Sequence, residues 1–159
     1  RYVTWKRLIR GVTAVWISAL VFSVGLPLLD TTDRDPTLLA DTARTYEAGS
    51  AAAIGRNLYI AQGCAECHSQ EVRPVGTDVG LGTVSIAGDY AYEDPVLRGT
   101  IRFGPDLMHV AGREGFTPDA IAPHLQDPRD ARSWSNMPSY SYLSQSDLDA
   151  LTIYIQTLR

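Results

Sequence analysis

Both cysteines of this 159-residue chain lie in one short stretch, Cys64-Ala65-Glu66-Cys67, and His68 follows directly. Three chemistries use a Cys-x-x-Cys pair without help from a following histidine. A thioredoxin-like dithiol opens a helix beside a βαβ pattern, and no alternating strand pattern surrounds residues 64–67. A structural zinc site takes four Cys or His ligands, usually as two pairs. Only His109 and His124 remain, and they form no compact second pair. A disulfide across two intervening residues closes too short a loop to gain much. Cys-x-x-Cys-His differs from all three. It sets two thiols for thioether bonds to the haem vinyl groups and an imidazole for the iron on one turn, the signature of c-type haem attachment. Cys64 and Cys67 are therefore expected to hold one haem c, with His68 on the iron. Such a chain folds around a porphyrin, which is expected to supply a large part of the core.

A His/Met pair raises the haem potential and closes both axial positions, which suits electron transfer. The chain has two methionines. Met137 lies in "WSNMPSY", where Pro138 favours an extended chain, and it is the expected axial ligand. Met108, in "GPDLMHV", and His109 and His124 are the other candidates. The second ring nitrogen of His68 needs an acceptor to fix its tautomer. The carbonyl of Pro105, in a Gly-Pro turn, is the expected one, with Leu107 packing on the ring face. No Ser/His/Asp or Cys/His nucleophile arrangement stands out, so no catalytic residue is expected in this chain.

From Gly11 to Leu29, "GVTAVWISALVFSVGLPLL", there is no charge. A helix of that length spans ~28 Å, close to the hydrocarbon core of a bilayer. No face of it is polar enough for a core helix half in water. Ser23-Val24-Gly25 makes a poor cleavage site, which points to a retained anchor rather than a signal peptide. Trp5 and Trp16 suit an interface or lipid, and Pro27 falls near the end, where a kink is tolerated. Residues 1–29 carry Arg1, Lys6, Arg7 and Arg10 and no acid, whereas Asp30, Asp33 and Asp35 follow the run. The positive-inside rule then puts the N-terminus in the cytoplasm and the body outside, which for a bacterial inner membrane means the periplasm. The remaining residues hold all 18 acids against ten arginines. That balance argues against nucleic acid as a partner and predicts a solvated acidic face able to steer a basic donor.

Hydrophobic residues make up 45% of the chain and charged ones 20%, so it is not a disordered polymer. The organisation expected is an anchor over 1–29, a polar linker over 30–52 and a small, mainly α-helical domain of the class I cytochrome c kind over 53–159. "AAAIGRNLYIAQGCAECH" reads as a helix with Ile54, Leu58 and Tyr59 on one face, broken near Gly63. Ser144 with Asp147 three residues on resembles a capping box. Leu148, Leu151, Tyr154, Ile155 and Leu158 then repeat at helical spacing. Gly55 on one helix and Tyr154 on the other allow a close crossing.

Taken together, "GRNLYIAQGCAECHSQEVRP", "AGDYAYEDPVLRGTIRFGPDLMHVAGR", "HLQDPRD" and "SNMPSYSYL" resemble the mono-haem cytochrome c subunit II family of cbb3-type cytochrome c oxidases across residues 56–143. The resemblance implies Cys64 and Cys67 as attachment points and His68 and Met137 as axial ligands. It also implies a membrane-embedded haem–copper subunit as partner and electron acceptor, with a soluble or sister cytochrome c as donor. Arg73, Arg102 and Arg113 are then candidates to neutralise haem propionates. This chain is shorter than the usual member, since "SYL" runs almost directly into the last helix. The other readings left open are a subunit of another quinol- or nitric-oxide-linked complex and a free-standing membrane-anchored carrier.

Overall fold

The computed structural model describes residues 4–30, 32, 34–39 and 42–159, so Arg1 of the basic cluster and Asp33 of the acidic flank lie outside it. The chain divides into two compact units, Arg1–Asp35 and Pro36–Arg159.

The first unit is one helix, Trp5–Leu29, long and apolar enough to cross a membrane. It comprises α1 (Trp5–Leu20), a π-helical turn (Val21–Gly25) and α2 (Leu26–Leu29). None of its residues is buried. Pro27 explains the π turn. Its ring cannot donate an N–H and crowds the carbonyl one turn back. The helix widens just before it, and the Leu26 N–H reaches the Val21 carbonyl. Ser23 Oγ meanwhile donates to the Ala19 carbonyl at 2.5 Å, so its hydroxyl is satisfied within the helix.

The second unit is mainly helical. A minimal antiparallel ladder pairs β1 (Leu38–Leu39) with β2 (Thr42–Ala43). Then come α3 (Ala51–Ala61), α4 (Pro118–Gln126), α5 (Pro128–Ala131) and α6 (Gln145–Gln156), with short 3₁₀ turns in the long segment between α3 and α4. Ser50 caps α3 by accepting the Ala53 N–H at 3.2 Å. Ser144 caps α6 by accepting the Asp147 N–H at 3.2 Å, and its hydroxyl donates to the Asp147 carboxylate at 2.7 Å. The acid therefore meets the cap's side chain rather than its backbone, a variant of the capping box.

The crossing of α3 and α6 organises this unit. A Cβ on Gly55 would sit 1.9 Å from the Ala150 carbonyl oxygen and 2.8 Å from Tyr154 Cβ, so only glycine permits the approach. Leu148, Leu151, Tyr154, Ile155 and Leu158 are all buried, as the helical spacing anticipates. Each such side chain contributes ~1.5–3 kcal/mol by leaving water. Tyr154 is flanked by Tyr46 and Tyr59, with ring centroids 5.6 and 5.3 Å away. The α3 face differs from the expected one. Tyr59 is buried and Leu58 packs partly buried against the core as expected, but Ile54 is exposed, and Gly55 and Arg56 are buried in its place. Arg56 is tolerated there because its guanidinium donates to the Asp94 carbonyl at 3.2 Å and to the Pro95 carbonyl, and lies 5.5 Å over the Tyr46 ring. Arg44 and Tyr46, in the stretch read as linker, pack within this unit. Arg44 meets the buried Glu93 at 2.6 Å, and Tyr46 shares a hydrogen bond with Thr157.

Candidate haem site

Helix α3 ends because Gly63 takes the left-handed conformation, φ 69°. The chain turns at once into a 3₁₀ turn over Cys64–Glu66. The N–H groups of Cys67 and His68 both donate to the Cys64 carbonyl, at 3.2 and 2.9 Å. The two sulfurs and the imidazole thus belong to a single closed turn. Both cysteines are free thiols. Cys64 packs partly buried against the core cluster, as Met137 does. Burial pushes its thiol up to about 11, against the Tyr140 hydroxyl beside it, which works the other way.

His68 is half-buried, with Nδ1 2.8 Å from the Pro105 carbonyl. A carbonyl only accepts, so Nδ1 carries the proton and Nε2 keeps its lone pair. Burial lowers the imidazole's pKa from the ordinary value, opposed by the Pro105 carbonyl and by the charge of Asp106. The ring is accordingly neutral at pH 7, the form that binds metal. Gly104 lies against the ring: a Cβ there would be 2.3 Å from His68 Cε1 and 2.7 Å from Nδ1. Its N–H donates to the Cys67 carbonyl at 2.9 Å, and that of Leu107 to the Ser69 carbonyl at 2.7 Å. Leu107 itself is buried in the core.

The three arginines expected at propionates are placed on acceptors of the chain itself. Arg73 pairs with Asp78 at 3.1 Å. Arg102 reaches Asp78 at 2.6 Å and Asp106 at 3.3 Å, and also donates to the Ser69 hydroxyl and the Glu71 carbonyl. Arg113 donates to the carbonyls of Asp106 at 2.5 Å, Leu81 at 3.1 Å and Met108. Arg73 and Arg102 hold the Asp78 carboxyl well below the usual carboxylate range. Asp78, Asp106 and Glu93 are thus buried and paired, not part of a solvated acidic face. A buried carboxylate persists only when charge and hydrogen bonds compensate its desolvation; Asp78 and Asp106 have both, and Glu93 has the charges of Arg44 and Arg56 beside it.

The four candidates for a second axial ligand separate by their surroundings. Met108 is 2% exposed and its sulfur accepts from Arg44 Nη1 at 3.6 Å. His109, at φ 58°, has Nε2 3.2 Å from both the hydroxyl and the carbonyl oxygen of Thr83. His124 lies on α4, partly exposed. Burial lowers its pKa, and the charge of Arg132 pushes the same way. Met137 is partly buried on a pinned loop. Its N–H donates to Ser135 Oγ at 3.2 Å, and Arg129 Nε donates to the Ser135 carbonyl at 3.2 Å. On the other side, Tyr140 N–H donates to the Leu125 carbonyl at 2.9 Å and Ser139 Oγ to that of Gln126 at 2.5 Å. Asp127, which caps α5 by accepting the Arg129 and Asp130 N–H groups, completes the corner. "HLQDPRD" is therefore the brace for "SNMPSY". Among the described residues no hydrogen-bond donor reaches the Met137 sulfur.

This donor set fits one haem. Two unpaired thiols share a turn with an imidazole whose only free nitrogen is Nε2, and a soft thioether sits on a braced loop. A family model described as cytochrome c oxidase, mono-heme subunit/FixO matches residues 9–158, and the chain belongs to that family. It is thus a one-haem subunit of an oxidase complex, with an N-terminal helix able to cross a membrane. No curated protein matches the chain.

Proposed function

We propose that the chain carries its haem through thioethers from Cys64 and Cys67, with His68 and Met137 as axial ligands. It takes electrons from a soluble or sister cytochrome c and passes them to the haem–copper subunit of a cbb3-type oxidase. Residues 1–29 are its membrane anchor, with the N-terminus in the cytoplasm and residues 53–159 as a periplasmic haem domain. The observation that carries this reading is the His68–Pro105 contact, which commits Nδ1 and leaves Nε2 free on the turn that holds both thiols.

Haem, when bound, supplies the Fe(III)/Fe(II) couple, one electron per cycle. The protein's part would be to hold His68 and Met137 as the side chains that bind the iron. Gly104 and Pro105 hold the His68 ring in one orientation from behind, so Nε2 needs no reorientation between redox states. The corner of Asp127, Arg129 and Ser135 does the same for Met137. Rigid ligands limit reorganisation, and that favours fast electron transfer over ligand exchange. Arg73, Arg102 and Arg113 act mainly through the loop they stitch, each having acceptors within the chain.

Purification of the full chain from its membranes in mild detergent tests the assignment. The ferrous absorption of this haem should co-migrate with a large oxidase and disappear within one turnover when oxygen is added. A haem protein that migrates alone, or whose ferrous form binds carbon monoxide at an open iron, contradicts the reading.

A further inference from the structure

His68 and Pro105 belong to two segments that are stitched together on both sides of their contact. Ser69 follows His68, and Asp106 follows Pro105. Asp106 Oδ2 accepts from Ser69 Oγ at 2.7 Å and from the Glu71 N–H at 2.8 Å, while Oδ1 accepts the Met108 N–H at 2.9 Å. The carboxylate is 2% exposed, and Arg102 and Arg113 lie 3.3 and 3.5 Å from it. Two backbone bonds, Gly104 to Cys67 and Leu107 to Ser69, fix how far apart the segments lie. The carboxylate sits beyond them and grips one segment by a side chain and a backbone N–H and the other by a backbone N–H. It thereby opposes sliding of one segment along the other. The ring N–H to carbonyl bond is sensitive to such sliding, because hydrogen bonds weaken steeply with angle and length.

We infer that Asp106, acting through Ser69, is a positioning residue that sets the strength of the His68–Pro105 hydrogen bond and so the donor strength of Nε2 toward the iron. This rests on His68 being a ligand. A stronger Nδ1–H···O bond makes the imidazole more basic and favours the ferric state. Loosening the grip should therefore raise the midpoint potential. Removing a buried negative charge raises it as well, so the two effects need separating. Ser69→Ala does so, because it removes the side-chain half of the grip on the His68 segment and leaves every charge in place.

The test uses the full-length, haem-loaded chain in detergent and two readouts, the midpoint potential and the His68 Nδ1–H proton resonance of the ferrous protein. Ser69→Ala and Asp106→Asn should both raise the potential and move the resonance in the same direction, Asp106→Asn further. Asp78→Asn removes a buried carboxylate that reaches residues 67–71 and 104–108 only through Arg102, and it should move the resonance less than either grip variant. Leu151→Ala, a core truncation, should lower the melting temperature and move neither readout. The inference is overturned if Ser69→Ala leaves both readouts at wild-type values and Asp106→Asn shifts the potential no more than Asp78→Asn. Should Asp106→Asn fail to retain haem, Ser69→Ala decides by the same two readouts. Failure of the ligand assignment would look different: the wild-type protein itself would lack a low-spin spectrum.

Discussion

Met137→Ala should remove the far-red sulfur-to-iron charge-transfer band from the oxidised protein and lower its midpoint potential. Methionine is a poor donor to Fe(III) and raises the potential; water or a stray imidazole in its place lowers it. The drop should be a sizeable part of the ~0.8 V that axial ligands span. Met108→Ala is the comparison. That sulfur is buried and already accepts from Arg44. Its truncation should cost about 2–5 kcal/mol of stability, as for other buried Met→Ala changes, and leave the band intact. An absorption spectrum and a redox titration of the two variants separate the roles. If the band survives Met137→Ala, Met137 is not the ligand.

Gly55→Ala should be the most damaging single methyl group in the second unit. The added Cβ would meet the Ala150 carbonyl oxygen at 1.9 Å and its carbon at 2.5 Å. Both are backbone atoms of α6 and cannot rotate away, so the helices must part along the face that buries Tyr59 and Tyr154. Overpacking of this kind costs about 3 kcal/mol or more, which corresponds to a melting temperature lower by roughly 10 °C for a unit of this size. Gly76 has nothing within 4 Å of a Cβ, so Gly76→Ala should lie within about 0.5 kcal/mol of wild type. Equal melting temperatures for the two variants would show that the crossing is looser than the structure has it.

Much of this architecture is legible in sequence because it is local. The α6 stripe, its Ser144 cap, the charge-free N-terminal run and the Gly55–Tyr154 crossing each depend on residues a few positions apart or on one small residue facing a large one. What is not legible depends on pairing between distant segments. Nothing local says that Arg56 rather than Ile54 faces inward, because the acceptors that make burial tolerable, at Asp94, Pro95 and Glu93, come from a loop far along the chain. The buried Asp78 and Asp106 are hidden for the same reason. As part of a count of 18 acids they read as surface charge, and only the fold brings Arg73, Arg102 and Arg113 onto them. Helices α4 and α5 are masked by Pro118, Pro123 and Pro128, although Thr117-Pro118-Asp119 has the residue order of a helix start. At the site, the Pro105 carbonyl sits on His68 as the Gly-Pro turn suggests. Ser69, Asp106 and Tyr140 have no sequence signature that would single them out.

A haem held covalently by Cys64 and Cys67 would show most directly in the intact mass of the denatured chain. Unfolding with acid and organic solvent releases any haem that is merely coordinated, because His68 and Met137 lose their geometry, but leaves thioethers untouched. The expected mass is that of the polypeptide plus one haem for the wild type, and that of the polypeptide alone when both cysteines are replaced by serine. A wild-type chain of unmodified mass, with all its haem in the organic extract, would contradict covalent attachment.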